Sequence, residues 1–269
     1  MITPMRHHAA MRKDALLVVA NALAITLLVS AAAHAAADDD GVSATPFRPT
    51  VTSGAAMSAP GWLELELGGQ RLGGHEQDRR NSLPYLLKYS VNERFALLLG
   101  GDAQVAVPGL HGSGDTLLTL KARAPDPMEG VSLGLEATLK LPTAADGLGS
   151  GKRDESLKSI VGIDLPKGFH LDTNLLITRL GAISPGQGRI QLAWAAALTH
   201  LLGDAWTLAG DLSGTRQTGT PSTAQFLAAA SFAASKRLVL DGGMAAGLNH
   251  DTPKWTVFAG LTVLLGRLN

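Results

Sequence analysis

The sequence predicts an all-β fold: about twelve antiparallel strands closed into a transmembrane β-barrel, following a cleaved N-terminal signal peptide. Three observations predict it. Apolar and polar residues alternate with period two over runs of up to eleven residues, the ~9–11 that a tilted strand needs to cross a bilayer. The connectors between runs alternate between tight and long, as periplasmic turns and external loops do. The composition is rich in Gly and poor in charge, with 31 Gly and 17% charged residues in a chain of 269.

The leader comes first. Arg6, Arg12 and Lys13 precede an apolar run from Ala15 to Ala33, which ends in Ala33-His34-Ala35. A basic region, an apolar stretch and a small-x-small site are the parts of a secretory signal peptide, with cleavage expected between residues 35 and 37. No later run reaches the ~18 apolar residues of a spanning helix. Residues 36–60 precede the first expected strand and read as a periplasmic N-terminal tail, leaving 61–269 as the barrel domain.

The clearest strand is Val131 to Leu141, in which every odd position is apolar and every even position is polar or Gly. A helix would mix these residues around its circumference, so only a strand with two different faces separates them. The same alternation places twelve strands near 61–73, 81–90, 94–105, 114–124, 130–142, 153–165, 168–180, 188–201, 205–216, 223–235, 237–249 and 254–266. The connectors at 91–93, 125–129, 166–167, 202–204 and 236 are tight. Those at 73–80, 106–113, 143–152, 181–187, 217–222 and 250–253 are mostly longer and polar. An even strand count returns both termini to the short-turn side. The soluble alternative, a secreted sandwich, also alternates, but its strands are shorter, nearer ~5–6 residues. Tyr89, Phe95, Phe169 and Trp206 fall at tight-turn ends on the apolar parity, where an interfacial aromatic girdle belongs.

Composition excludes several functions. Lys+Arg and Asp+Glu number 23 each, and a nucleic-acid binder would carry a basic excess. With no Cys there is neither a disulfide scaffold nor a thiolate metal site or nucleophile.

Several stretches resemble a known family. Phe47 to Gly54, Pro60-Gly61-Trp62-Leu63-Glu64-Leu65-Glu66-Leu67-Gly68, Leu83 to Phe95, Leu139-Lys140-Leu141-Pro142-Thr143 and Gly247-Leu248-Asn249 look like the meta-pathway of phenol degradation family over most of 47–266. The likeness is diffuse and carries no catalytic signature. It implies a transporter-like barrel in the outer membrane of a Gram-negative bacterium. The partners expected are outer-membrane lipid, the outer-membrane assembly machinery and an unidentified small solute, with hydrophobic or aromatic compounds as candidates. No nucleic acid, cofactor or metal is expected. The chain departs from the family in ending Leu264-Leu265-Gly266-Arg267-Leu268-Asn269 rather than in a last strand closed by an aromatic.

Parity also assigns the lumen. The inward acids are Glu64, Glu66, Asp102, Asp115, Glu136, Asp164, Asp172, Asp211 and Asp241. The inward bases are Lys88, Lys121, Arg123, Lys140, Lys158 and Arg189. The lumen is therefore net −3, as a water-filled channel that prefers cations would be. Twelve strands fall between a barrel of ~8, filled by its side chains, and one of ~16, which leaves a pore, so parity alone leaves open and filled lumens equally available. Two other functions compete with a channel: a non-conducting structural barrel, and a lipid hydrolase with His111 as base and Ser113 as nucleophile, oriented by Asp115 or Asn81. His170 and Asp172 share a strand face, but two ligands do not make a zinc site. Gly147 to Lys152 resembles a phosphate loop without the strand-to-helix setting that such a loop needs.

Overall fold

The computed structural model describes residues 41–74 and 79–268; the leader and its cleavage site lie outside the described residues. Thirteen strands form: β1 (Trp62–Gly73), β2 (Arg80–Ser90), β3 (Phe95–Val107), β4 (Leu110–Gly112), β5 (Thr116–Arg123), β6 (Val131–Leu141), β7 (Asp154–Leu165), β8 (Phe169–Arg179), β9 (Ile190–Leu202), β10 (Trp206–Gln217), β11 (Thr220–Ser235), β12 (Leu238–Gly247) and β13 (Trp255–Arg267). The three-residue β4 only folds back on the loop end of β3. The other twelve pair antiparallel with their sequence neighbours, and β1 pairs with β13 from Trp62↔Arg267 to Gly73↔Trp255. The ring of these twelve is closed, so none of the wall strands is left with an unpaired edge.

Alternation sorts the two faces. Leu135 is 44% exposed and the adjacent Glu136 is 5% exposed. Leu97, Leu120, Leu157, Leu175, Leu192, Leu208 and Met244 are likewise exposed. An apolar surface of this extent is stable only under lipid or a partner. Phe95, Phe169 and Trp206 are exposed at the tight-turn end. Pro84 sits at a register shift of β2 opposite Asp102, where a missing N–H costs least.

One connector is shorter than the sequence suggests. The stretch 217–222, expected as a longer loop, is the two-residue turn Thr218-Gly219, with Gly219 at φ 71. Thr220 already pairs with Gln217 and Thr223 with Thr215, so polar Thr and Ser here extend a strand. A two-residue hairpin needs positive φ, which Gly adopts without steric cost.

The largest departure concerns the tail. Residues 42–60, set apart by the sequence as a tail separate from the barrel domain, belong to the same compact unit as the barrel. The segment starts at the tight-turn mouth, where Ala44 N donates to Lys236 O at 2.7 Å, and it returns there, where Gly61 N donates to Ser90 O at 2.7 Å. Between these points it runs inside the ring. It forms no wall strand because its backbone hydrogen-bonds to lumen side chains in place of a ladder.

Candidate functional site

The lumen wall is an ionic band built by register. Glu64 on β1 faces Lys88 on β2, and Lys88 Nζ pairs with Glu64 and, at 2.5 Å, with Glu66. On the next strands Lys121, Glu136 and Lys158 lie directly across from one another. Glu136 accepts from Lys158 Nζ at 2.7 Å and faces Lys121 Nζ at 3.5 Å. Lys88, Lys121, Glu64 and Glu66 are essentially fully buried. Buried charge survives only when it is paired and hydrogen-bonded.

The tail completes that pairing. Thr45 N donates to Glu64 Oε2 at 2.8 Å, Phe47 N to Glu66 Oε1 at 2.6 Å and Arg48 N to Glu66 Oε2 at 3.2 Å. Lys88 donates to Thr45 O, Lys121 to Gly54 O and Lys158 to Ser53 Oγ, at 2.6, 2.6 and 2.8 Å. The Phe47 ring lies between two ammonium groups, 4.0 Å from Lys88 Nζ and 3.8 Å from Lys121 Nζ, a doubled cation–π contact.

Across the lumen the wall differs. Asp172, Asp211 and Asp241 project from β8, β10 and β12, and the strands between them present Ala195 and Ala197 on β9, and Leu227, Ala229 and Ser231 on β11. None of these three carboxylates has a lysine paired with it in register on a neighbouring strand. Asp241 holds Arg48 of the tail at 2.9 Å. Asp211 Oδ2 accepts from Thr52 N at 2.9 Å and Thr52 Oγ1 at 2.7 Å. Asp172 is 3.3 Å from His170 Nε2, and His170 Nδ1 is 2.6 Å from Asp164. Asn174 exchanges two hydrogen bonds with Ser53.

The remaining residues assigned to the lumen by parity lie toward its mouths. Asp102 pairs with Arg80 at 2.6 Å. Lys140 bridges Asp115 and Asp154 at 3.4 and 2.7 Å. Arg123 pairs with Asp126 at the tight-turn end, where Asp164 is also exposed. Arg189 sits in the loop before β9, donating to Leu180 O and Gly181 O, so its role is to close that loop rather than to line the band.

Besides one of about 480 Å³ at the tight-turn mouth beside Glu93 and Arg94, two cavities meet the tail. One of about 590 Å³ opens on the tight-turn side, lined by tail residues 46–56 together with Ser132, His170, Asp172, Thr199 and Ser231. The other, about 260 Å³, lies on the loop side of Val51 against Lys158, Asn174, Ser213, Gln225 and Thr252. The second runs along β7 to β11, and the first extends past that stretch to β6 and β12.

His111 and Ser113 do not meet as base and nucleophile. His111 lies in β4 opposite Ala106, no hydrogen bond joins it to Ser113 among the described residues, and Asp115 is engaged by Ala144 N and Lys140. Gly147 to Lys152 is part of the β6–β7 hairpin loop, where Ser150 accepts from Lys140 at 2.8 Å. Among the described residues no group of three or more His, Asp or Glu side chains is placed to hold a metal ion. Sequence reasoning missed the tail residues Thr45, Phe47, Arg48, Thr52 and Ser53. A signal for them existed: Asp211 and Asp241 had no basic neighbour in register, and buried carboxylates require partners.

No known protein-family model matches this chain, and no curated protein matches it. Its fold is similar to that of the COG4313 outer membrane channel from Pseudomonas putida F1, at 15% identity and TM-score 0.63, covering 81% of this chain and 100% of that one. It is also similar to the KdgM porin, at 8% identity and TM-score 0.54, and to the NanC porin, at 6% and 0.55, each covering 74% of this chain and 98% of the other. At these identities the likeness establishes the fold alone.

Proposed function

We propose that this chain is a channel for small solutes in the outer membrane of a Gram-negative bacterium, with the 42–60 tail setting its constriction. One observation carries the reading: a closed wall, apolar outside and ionic inside, encloses cavities of about 590 and 260 Å³ that approach the tail along the same strands. A barrel filled only for stability would pack that side as tightly as it packs the other. The cavities are of the size that takes small molecules. The porins and the channel that share the fold support the reading, as does the resemblance carried by Phe47 to Gly54 and Pro60 to Gly68.

The larger cavity is lined by the carboxylates of Asp126, Asp164, Asp172 and Asp204 against the guanidinium groups of Arg48 and Arg123, and the smaller one carries Lys158, so the acids outnumber the bases and the passage favours cations. Aromatic and hydrophobic solutes remain candidates on the family resemblance, and an anionic solute is the least favoured. The test is a planar-bilayer recording of the refolded full-length protein under a salt gradient. The expected result is small unitary currents with a cation-selective reversal potential. Anion selectivity would break the charge argument, and a silent, correctly folded barrel would leave the structural alternative standing.

A further inference from the structure

Arg48 is the only charged residue between Val42 and Pro60, and the wall has a fitted place for it. Gly68 on β1, Gly260 on β13 and Asp241 on β12 lie in one row of the ladder, Gly68↔Gly260 and Asp241↔Gly260. The guanidinium rests on the two glycine backbones. A Cβ added at Gly68 would lie 2.6 Å from Nη1 and 2.8 Å from Cζ, and one at Gly260 would lie 2.7 Å from both Nε and Nη2. Asp241 accepts from Nε at 3.1 Å and from Nη2 at 2.9 Å. The Phe258 ring, on the same face of β13, has its centroid 5.8 Å from Cζ. The floor is flat because it has no side chains, one edge is a carboxylate reading two N–H groups, and an aromatic borders the rest. That shape and donor pattern match a planar fork. A compact, strongly hydrated ammonium would neither fill the slot nor bond the carboxylate through two parallel donors.

We propose that the Gly68–Gly260–Asp241–Phe258 notch is a receptor for guanidinium-bearing cations, which Arg48 fills as an internal ligand, and that a free guanidinium solute displaces Arg48 and loosens the tail. The site stands on the geometry above; only its effect on current rests on the channel reading. A tethered ligand competes at an effective concentration on the order of millimolar, so a free solute must reach that range to act. Displacement removes the tail's one ion pair and leaves the hydrogen bonds of Thr45, Phe47, Thr52, Ser53 and Gly54 to hold it.

The chain has no Cys, so a single Ala55→Cys reports the tail by itself; Ala55 is 2% exposed and makes none of the anchoring hydrogen bonds. Its labelling by a water-soluble maleimide is measured in lipid vesicles against guanidinium chloride, with sodium and tetramethylammonium chloride at equal concentration as controls, and bilayer currents are recorded in parallel. Guanidinium should raise the labelling rate severalfold and saturably, and the two controls should not. Adding Asp241→Asn should raise the basal rate and abolish the guanidinium response. Gly68→Ala should do the same through its Cβ and serves if the Asp241 variant fails to fold. Equal responses to all three cations, or no response, overturn the site even if currents flow. A guanidinium-specific response with no current in any variant keeps the site and removes the channel.

Discussion

The two halves of the lumen wall solve the same problem in different ways. Along β1, β2, β5, β6 and β7 the buried charges pair mostly within the wall, Lys88 with Glu64 and Glu66, Glu136 with Lys121 and Lys158. Along β8 to β12 the carboxylates of Asp211 and Asp241 find their partners in the tail. The first half is held by strand pairing, which the barrel cannot lose without unfolding. The second is held by a segment that supplies none of the twelve wall strands. Stability thus concentrates in one half, and the capacity to change the lumen in the other.

This comparison breaks if removing a charge costs the same in both halves. Lys88→Met leaves Glu64 and Glu66 buried without their cation, and such a loss costs about 3–5 kcal/mol. Denaturant unfolding from lipid vesicles should show it as a large fall in barrel stability, whereas Asp241→Asn measured in the same way should move it far less. The comparison also requires that the band face inward. Leu135→Arg puts a charge at the lipid midplane and should cost roughly 2–4 kcal/mol. Thr138→Arg, which replaces a hydroxyl 2.8 Å from Thr119 Oγ1 on the inner face, should cost little, and equal damage from both would undo the face assignment. The smallest effect sharpens the difference. Thr52→Val removes one hydrogen bond to the Asp211 carboxylate, worth about 1.5 kcal/mol for a charged acceptor. It should shift the docked tail roughly tenfold toward release, visible as faster maleimide labelling at Ala55→Cys, with the unfolding midpoint of the barrel unchanged.

The same division explains what the sequence revealed. Strand-to-strand pairing follows from period-two alternation and hairpin connectivity, so the twelve wall strands and the inward parity of Lys121, Glu136 and Lys158 were legible. Leu117, which breaks the alternation of its strand, is an inward residue opposite Gly100 and Lys140, so parity was the better guide than polarity there. The tail was not legible, because its contacts span up to 193 residues, as from Arg48 to Asp241, and use backbone groups that every sequence possesses. Thr218-Gly219 was misjudged because Thr and Ser at 220–223 look like a loop and behave as strand. Arg189 kept the inward parity but lies one residue before β9 begins, where parity no longer applies.

The tail's reach across the ring has a kinetic consequence. The seam between β1 and β13 joins Trp62 to Arg267, so closure is the most non-local event in the chain, and its entropic cost rises only with the logarithm of the loop enclosed. The segment ahead of β1 touches β1, β2, β5, β7, β8, β10 and β12. It is made before any of these strands and precedes them in the chain, so it can act as a mandrel. Curling strands gain contacts with it one after another, and each contact shortens the span that the seam must still close. A barrel refolded without residues 42–60 should reach the same ladder by a slower route.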